Sequence, residues 1–356
     1  MQRALRLAAK GLYTTGPNPR VGCVLVKNGN IVGEGWHRRA GEAHAEINAL
    51  REAGEQARGA TAYVTLEPCS HTGKTGPCAH ALVEAGVSKV VAAMVDPNPL
   101  VAGKGLAHLQ QHGVETETGL LESQAQALNP GFIMRMEQGR PFMRLKMAMS
   151  LDGRTAMASG ESQWITGEAA RADVQRYRAR SNAILTGIGT VLQDDPRLDV
   201  RVSAEQLGAG DPVNRPLRVV LDSKGRMPAD AAMLKTPGDI LHVTAEGAAS
   251  QLPCEHAQLP RHAEGIDLPA LMTLLADRQV NECHVECGSR LAGSLLQHRL
   301  VDELLIYMAP HIMGDQAKGL FHLPGLETMA QRIGLHMQDM RRVGEDVRMV
   351  FGLRSE

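Results

Sequence analysis

The sequence predicts an α/β protein of two consecutive domains, on the strength of three observations. Apolar runs of strand length alternate with stretches of helical period in the first part of the chain, a pattern typical of a mostly parallel sheet covered by helices. The alternation stops at the polar stretch 137–141 and then restarts. A length of 356 residues also suffices for two separate cores. We therefore predict domains over 1–139 and 140–356.

The first domain is predicted to open with a helix over 3–11 and a β-hairpin. The hairpin strands, 21–27 and 31–34, flank Asn28-Gly29, a dipeptide favoured in two-residue hairpin turns. The other predicted helices of this domain each end directly before a glycine, which is common at helix ends. Further strands are expected at 62–66, 89–95 and 114–118, and further helices at 43–53, 77–85 and 103–112.

The second domain shows the same alternation and closes with a two-stranded hairpin over 334–353. Two polar stretches, 203–214 and 245–264, are predicted to be irregular surface loops. The predicted strands are 142–149, 183–187, 217–222, 282–286 and 303–309, and the predicted helices are 167–180, 268–277 and 289–297.

Composition excludes several classes of function. A formal net charge of -1 gives no basic face for duplex nucleic acid, and 3% aromatic residues offer few stacking platforms for single strands. The apolar runs are too short to span a bilayer, and the N-terminus has no signal-peptide core. Six cysteines are too sparse for a disulfide framework. We expect a cytoplasmic protein that binds neither nucleic acid nor membranes.

The sharpest motif is His44-Ala45-Glu46 followed by Cys69 and Cys78. One imidazole and two thiolates suit Zn²⁺ and leave a tetrahedral ion one open position, which marks a catalytic site. Two thiolates neutralise the ion, so its water needs a base, and Glu46 is the candidate. Because positions i and i+2 point apart on a helix, His44 should lie at the helix start. Cys78 should also begin a helix, where a thiol pKa is lowered.

Three alternatives remain open at this point. The zinc could be structural, with His71 as a fourth ligand, or it could stabilise a binding module without catalysis. The chain could instead be a nucleic-acid base deaminase with an accessory domain, although the spacing of its cysteines is longer than in that motif. Glu46 discriminates, since a structural zinc has no need of a base. Cys23 lies in an apolar run and is interpreted as a small core residue, whereas three other thiols lack partners at ligand spacing, namely Cys254, Cys283 and Cys287.

Two strand ends of the second domain, 185–190 and 285–289, run into glycine-rich turns that precede helices. Backbone N–H groups at such helix starts can bind phosphate. Neither turn has the Gly-x-Gly-x-x-Gly pattern, so we exclude a Rossmann domain.

Several segments of the first domain resemble the deaminase half of the bifunctional riboflavin-biosynthesis deaminase–reductases. The resemblance implies a three-layer cytidine-deaminase-like fold, one Zn²⁺ per chain, and a substrate that is a diaminopyrimidinone carrying a ribosylamino 5′-phosphate. The segments are PNPRVG at 17–22, LEPCSH at 66–71 and DPNPLVAG at 96–103. At matching positions, the residues implied to line the substrate pocket are Asn18, His37, Lys74, Asp96 and Asn98.

The resemblance continues into the second domain and covers nearly the whole chain. It implies a dihydrofolate-reductase-like α/β fold that uses NADPH to reduce the ribosyl group to ribityl. The segments are KMAMSLDGR at 146–154, SQWIT at 162–166 and TVLQDDPRL at 190–198. The cofactor residues implied are Ala148, Trp164, Thr190, Asp194, Ser223, Gly288, Ser289, Arg290, Leu291, Ala292, Gly293 and Ser294. The substrate residues implied are Lys146, Ser162, Arg178, Leu198, Arg201 and Glu286.

Within that set, Arg178 and Arg201 make physical sense as planar forks that hold the substrate phosphate. The expected partners are therefore small phosphorylated pyrimidines. We also expect a homo-oligomer, either a dimer or a tetramer.

Overall fold

The computed structural model describes residues 1–70, 76–99, 101–209, 213–262 and 265–354. The chain divides into two units. The first contains Met1–Arg140 together with Ser203–Asn214, and the second contains Pro141–Val202 and Arg215–Glu356. The segment 203–214, predicted as a loop of the second domain, is thus grouped with the first unit. No helix among the described residues is long and apolar enough to cross a membrane.

The first unit combines six helices with five strands in its described part. The helices are α1 (Gln2–Ala9), α2 (Ala45–Ala53), α3 (Cys78–Glu84), α4 (Lys104–Gln111), α5 (Glu122–Leu128) and α6 (Pro130–Gln138). A short 3₁₀ helix over Gly54–Ala57 extends α2. The strands are β1 (Gly22–Lys27), β2 (Asn30–Trp36), β3 (Thr61–Val64), β4 (Lys89–Ala92) and β5 (Glu115–Thr118).

The five strands form one sheet in the order β2-β1-β3-β4-β5. Strand β1 is antiparallel to both of its neighbours, whereas β3, β4 and β5 run parallel. The predicted hairpin is confirmed: Asn28 and Gly29 both have positive φ, 50° and 80°, as the tight turn between β1 and β2 requires.

Alternate residues of β1 pack on opposite faces of this sheet. Val24 contacts the small cluster formed by α1, and Leu25 belongs to the larger core that includes Ala49 of α2. Helices therefore cover both faces, which confirms the predicted three-layer fold. Gly35 lets α2 approach β2, since a Cβ at that position would lie 2.3 Å from the Ala45 carbonyl oxygen. This contact fixes the start of α2, where His44 lies.

The second unit is built on thirteen strands and four helices of the described chain. The long strands are β6 (Phe142–Ser150), β8 (Ala183–Gly187), β9 (Leu217–Leu221), β10 (Ile240–Ala245), β11 (Glu255–Leu259), β14 (Glu282–Glu286), β15 (Glu303–Ala309), β17 (Leu335–Val343) and β18 (Asp346–Leu353). The short strands are β7 (Arg154–Ala156), β12 (Arg261–His262), β13 (Gly265–Ile266) and β16 (Lys318–Gly319). The helices are α7 (Glu168–Arg180), α8 (Ile188–Asp194), α9 (Leu268–Asp277) and α10 (Ser289–Gln297), with 3₁₀ helices at Ala232–Lys235 and Met329–Gln331.

The long strands make a nine-stranded sheet in the order β11-β10-β9-β8-β14-β6-β15-β18-β17. All pairs from β11 to β15 are parallel, and β18 and β17 close the sheet antiparallel. The main core includes Leu145, Leu185 and Val285, and a second cluster on the sheet includes Ile184 and Val220. Both faces are thus covered, as parallel sheets require.

The prediction of irregular structure over 245–264 is wrong for Glu255–Leu259 and Arg261–His262, which form strands, whereas 246–254 are irregular as predicted and 263–264 lie outside the described residues. Strand β11 pairs in parallel with β10 at the edge of the large sheet, although its His256 and Gln258 are polar. An edge strand with exposed side chains needs little apolar surface, so its sequence resembles that of a loop. Strand β10 itself, helix α8 and the helices α5 and α6 lie outside every element that the sequence predicts.

Candidate metal centre and cofactor pocket

Three side chains of the first unit converge as the motif spacing predicts. His44 is the N-cap of α2, Cys69 follows β3, and Cys78 is the first residue of α3. The His44 Nδ1 atom lies 3.6 Å from the Cys69 sulfur and 3.3 Å from the Cys78 sulfur. Among the described residues, this is the only group of three or more potential metal ligands whose donor atoms all lie within 4.8 Å of one another.

The donor set fits zinc in both chemistry and spacing. A tetrahedral ion with bonds of about 2.1 Å to nitrogen and 2.3 Å to sulfur holds its ligand atoms roughly 3.6–3.8 Å apart. The observed nitrogen-to-sulfur distances of 3.6 and 3.3 Å are close to that requirement. His44, Cys69 and Cys78 would therefore hold the ion through three bonds and leave a fourth position open.

The two thiols of this cluster differ in acidity before any metal binds. The pKa of Cys69 is lowered to about 4, chiefly because it accepts a hydrogen bond from the Cys78 thiol. The pKa of Cys78 is raised, first by this same hydrogen bond and then by burial. The prediction that a helix start lowers the pKa of Cys78 is thus wrong for the metal-free cluster. The Cys78 backbone N–H at the start of α3 instead donates to the Cys69 sulfur at 3.4 Å.

Glu46 lies in the first turn of α2, two residues after the proposed ligand His44. Its side chain is buried, and burial raises its pKa to about 7, helped by the nearby charge of Cys69. A carboxyl group with such a pKa can both accept and return a proton near neutral pH. The predicted position of His44 at the very start of the helix is confirmed.

The other predicted residues of this pocket form two groups. The Asn18 amide lies 3.1 Å from the His37 Nε2 atom, and the His37 Nδ1 atom lies 3.2 Å from the Ala43 carbonyl oxygen. The His37 ring also meets the His44 ring edge-on, with centroids 5.3 Å apart. Burial lowers the pKa of His37, which favours its neutral form.

The second group is the segment after β4. The Asp96 carboxylate accepts a hydrogen bond from the Asn98 backbone N–H at 2.8 Å, which fixes the turn that carries both residues. Lys74, predicted as a phosphate contact, and His71, considered as a fourth ligand, lie outside the described residues.

Sequence reasoning missed Glu67, which lies between β3 and Cys69. Its carboxylate is buried and accepts four backbone hydrogen bonds. An acidic residue directly after an apolar strand is the signal that could have drawn attention to it, because an acid in that place needs buried donors.

The second unit holds a pocket of about 1670 Å³ at the carboxyl ends of its parallel strands. Most of the predicted cofactor and substrate residues line it. Those expected to bind cofactor are Ala148, Trp164, Thr190, Asp194, Ser223, Gly288, Ser289, Arg290, Leu291 and Ser294. Those expected to bind substrate are Lys146, Ser162, Arg178, Leu198, Arg201 and Glu286.

Two predicted cofactor residues lie elsewhere. Ala292 and Gly293 are on the buried side of α10, away from the pocket lining. A Cβ at Gly293 would lie 1.9 Å from the His322 carbonyl oxygen, so this glycine serves packing. The segment is the first turns of a helix, with Gly288 as its N-cap, and a helix presents only some of its residues to one side.

The fork of Arg178 does not face an open phosphate site. Its Nε and Nη2 atoms donate to the Glu286 carboxylate at 2.6 and 2.9 Å, and its Nη1 atom donates to the Asp199 carbonyl oxygen. The predicted fork for a phosphate is therefore taken by Glu286, which the parallel register of β14 and β6 places opposite Lys146. Arg201 is more exposed and pairs with Asp199 at 3.2 Å.

Two further contacts organise the pocket wall. The Ser162 hydroxyl donates to the Asp194 carboxylate at 3.1 Å and so ties a predicted substrate residue to a predicted cofactor residue. Trp164 is 70% exposed in the pocket, and the guanidinium of Arg171 lies 4.7 Å from its ring centroid. Arg171 and Arg226 also line the pocket. Nothing in the pattern of the sequence distinguishes these two arginines from surface residues.

The two units together define a class of protein. Residues 1–94 match the family model described as the cytidine and deoxycytidylate deaminase zinc-binding region. Residues 141–349 match the model described as the RibD C-terminal domain. The fold and the sites are thus those of a zinc-binding deaminase domain followed by a reductase domain.

Relatives of known name extend over the full chain. The riboflavin biosynthesis protein RibD of Escherichia coli (strain K12) is 52% identical over 354 residues, which cover 98% of this chain and 96% of the relative. The protein of the same name from Haemophilus influenzae is 51% identical and covers 99% of this chain and 96% of the relative. The solved structure of Acinetobacter baumannii RibD, form 1, matches with a TM-score of 0.92 and 45% identity, over 99% of this chain and 98% of that one.

A second solved structure is that of a diaminohydroxyphosphoribosylaminopyrimidine deaminase/5-amino-6-(5-phosphoribosylamino)uracil reductase from Thermotoga maritima. It matches with a TM-score of 0.88 and 32% identity, over 99% of this chain and 97% of that one. The chain belongs to the RibD family of riboflavin biosynthesis. It is a bifunctional enzyme, a zinc-dependent deaminase and a reductase.

Proposed function

We propose that the protein catalyses two consecutive steps of riboflavin biosynthesis on small phosphorylated pyrimidines. The first is hydrolytic deamination of 2,5-diamino-6-ribosylamino-4(3H)-pyrimidinone 5′-phosphate. The second is reduction of the ribosyl group of 5-amino-6-(5-phosphoribosylamino)uracil to ribityl. The observation that carries this proposal is the convergence of His44, Cys69 and Cys78 beside the buried carboxyl group of Glu46.

Deamination is assigned to residues 1–139, with His44, Cys69 and Cys78 as ligands of one zinc ion. When bound, zinc supplies a Lewis acid that makes water a nucleophile near neutral pH. Glu46 takes a proton from the attacking water, whose oxygen bonds to the amine-bearing ring carbon. Glu46 then returns the proton to the departing amine, so that the carbon–nitrogen bond breaks and ammonia leaves. A pKa of about 7 suits Glu46 to both transfers.

The substrate of this first step is held by groups around the metal centre. Asn18 and His37 lie on one side as a hydrogen-bonded pair, and Asp96 and Asn98 lie in the turn after β4. Lys74 is assigned to the 5′-phosphate, for which a lysine acts as a point charge.

Reduction is assigned to residues 140–356. When bound, NADPH supplies the hydride, and the chain orients the two reactants. The pocket residues at Ala148, Trp164, Thr190, Asp194 and Ser223 and the start of α10 are assigned to the cofactor. The substrate is assigned to Lys146, Ser162, Leu198, Arg201 and Glu286, with Arg178 holding Glu286 in place.

The enzyme is further proposed to act in the cytoplasm as a homo-oligomer, a dimer or a tetramer, without nucleic acid. Six cysteines in 356 residues are too sparse for a disulfide framework, which supports a reducing compartment. Strand β17 lies at the edge of the large sheet and exposes Met337 and Met340, and such an edge favours pairing with another copy. Light scattering of the purified protein measures the mass of the assembly. A monomer at micromolar concentration would contradict the proposed homo-oligomer.

The test is a coupled assay on purified protein loaded with one zinc per chain. The diaminopyrimidinone phosphate is supplied first without and then with NADPH, and ammonia release and NADPH oxidation are followed separately. Ammonia should appear without NADPH, and NADPH oxidation should begin only after deaminated product has formed. Absence of ammonia from a zinc-loaded protein would reject the proposed function.

A further inference from the structure

We propose that Glu67 is a positioning residue for deamination. It holds the substrate-binding turn at Asp96 and Asn98 at a fixed distance from the metal ligand Cys69. The inference rests on the proposed function, since it assumes that this turn contacts the substrate. In the proposed mechanism, Glu67 contacts neither the donor atoms of the metal ligands nor the reacting groups. It acts through the backbone N–H groups that it binds.

The Glu67 carboxylate links the segment before Cys69 to the turn at Asp96 and to the start of α4. Its Oε2 atom accepts from the backbone N–H of Asp96 at 3.1 Å and of Gly103 at 2.9 Å. Its Oε1 atom accepts from Gly105 at 2.9 Å and Leu106 at 3.2 Å. The side chain is buried, with 3% of its surface exposed. Both oxygens thus bind two N–H groups each, and both ends of the segment 96–103 are tied to one carboxylate.

These bonds complete the hydrogen bonding at the start of α4. The first N–H groups of a helix have no partner within the helix. Lys104 donates to the Val101 carbonyl oxygen, while Gly103, Gly105 and Leu106 donate to Glu67. A negative carboxylate also complements the positive end of the helix. Glu67 therefore does for α4 what an N-cap side chain does, but from the segment after β3, which is distant in sequence.

The same carboxylate is rigidly connected to the metal centre. Glu67 is followed by Pro68 and Cys69, and its own N–H donates to the Met94 carbonyl oxygen at 3.0 Å. A Cβ at Gly105 would lie 1.9 Å from the Pro68 carbonyl oxygen, so the backbone of α4 contacts the segment that precedes the ligand. A shift of the segment 96–103 relative to Cys69 would break several of these contacts at once.

The consequence for the reaction is a fixed distance between the metal and the groups that hold the pyrimidine. The Asp96 N–H is held by Glu67, and the Asp96 carboxylate in turn accepts from the Asn98 N–H. Binding groups that are held in place before the substrate arrives avoid the cost of being ordered when it binds, which strengthens binding. Loss of Glu67 should therefore weaken substrate binding while the zinc ligands remain in place.

The first test is Glu67→Gln, which keeps the volume but turns one acceptor oxygen into an amide donor that faces two N–H groups. The matched control is Glu122→Gln at the exposed start of α5. In zinc-loaded Glu67→Gln, KM for deamination should rise about tenfold or more, with one zinc per chain retained and reduction of deaminated substrate unchanged. The control should match the parent. A purely structural role predicts lower kcat, melting temperature and zinc content at unchanged KM, and that result would overturn the proposal.

A double-mutant cycle with Asn98→Ala tests whether Glu67 affects substrate binding through the turn that carries Asn98. If Glu67 acts through the turn, Glu67→Gln should raise KM much less in the Asn98→Ala background than in the parent. Fully additive effects on KM would overturn the proposal. A parent that releases no ammonia would instead reject the proposed function, which distinguishes the two failures.

Hydrogen exchange of the parent protein gives a measurement that does not depend on the folding of any variant. The amides of Gly105 and Leu106 should exchange slowly, although they lie in the first turn of a helix, because Glu67 accepts their hydrogen bonds. Exchange as fast as at the exposed start of α5 would overturn the proposal.

Discussion

The metal centre of the first unit and the pocket of the second unit differ in how their chemistry is stored in the chain. At the metal centre, reactive side chains do the work, and their types and spacing are visible in the sequence. In the pocket, the proposed cofactor would supply the chemistry when bound, and the chain supplies turns, helix starts and a few polar contacts. The first kind of site should fail completely when one atom is changed, whereas the second should lose activity in smaller steps.

The largest effect is expected from the metal ligands. Cys69→Ser or Cys78→Ser should abolish bound zinc and ammonia release, because a hydroxyl group of ordinary acidity cannot replace a thiolate. Reduction of deaminated substrate should continue at near the parent rate, since the described residues that line its pocket belong to the second unit. Zinc is measured by mass spectrometry of the metal. Stoichiometric zinc in either variant would contradict the ligand assignment.

The next effect is expected from Glu46→Gln, which preserves volume and leaves the three ligands intact. Deamination should fall by about 10²–10⁴-fold, the usual contribution of a general acid–base group, with zinc retained. The exposed Glu55→Gln serves as control. Both activities are measured on both variants, each with its own substrate. A parallel loss of reduction in Glu46→Gln, with an unchanged circular dichroism spectrum, would mean that the two activities share one site.

In the second unit the corresponding change is Arg178→Ala. Compared with Glu46→Gln, it should reduce catalysis less and the free energy of unfolding more. It leaves the half-buried Glu286 carboxylate without its bidentate partner, and breaking a buried pair in this way costs about 3 kcal/mol or more in unfolding free energy. Reduction should fall about tenfold or more, while ammonia release stays normal. Arg176→Ala, exposed on the same helix, is the control.

The Arg178–Glu286 pair also predicts how the loss of stability in Arg178→Ala depends on pH. Burial opposes ionisation of Glu286, but the charge and hydrogen bonds of Arg178, together with the nearby His284 ring at 3.4 Å, lower its pKa well below the usual range. A lowered pKa in the folded state stabilises above the unfolded value and is lost as pH falls through the folded value. The difference in melting temperature between parent and Arg178→Ala should therefore be largest near pH 7 and narrow below about pH 4. A difference that grows toward acid would contradict the pairing.

The two regions also differ in how much the sequence could predict. The ligands, Glu46 and the position of His44 at a helix start follow from residue types and spacing, because metal chemistry restricts both. Strands such as 282–286 and helices such as 268–277 and 289–297 are predicted with their observed bounds, since their apolar periodicity is strong.

The missed features have physical reasons in common. Glu67, the Arg178–Glu286 pair and the buried side of α10 at Ala292 depend on contacts between segments far apart in sequence. A local pattern can mark a buried acid such as Glu67, but it does not identify the distant partners of such contacts. Helix α6 is different: Pro130 at its first turn and Gly139 after its end are local signals that the sequence does contain. Edge strand β11 is polar because one of its sides meets solvent.

The smallest effect is expected from Cys23→Ala, which tests whether a buried thiol near the site takes part in metal binding. Cys23 lies in β1, and burial together with the charge of Glu46 raises its pKa well above the ordinary value. A thiol that stays protonated is a poor zinc ligand, because the thiolate is the form that binds. Zinc should remain at one per chain and both activities within about twofold of the parent. The melting temperature should fall by a few degrees, since removing one buried sulfur costs about 1 kcal/mol. Loss of zinc in Cys23→Ala at an otherwise unchanged fold would show that the metal centre extends beyond His44, Cys69 and Cys78, and the contrast between a sharply defined first site and a diffuse second one would no longer hold.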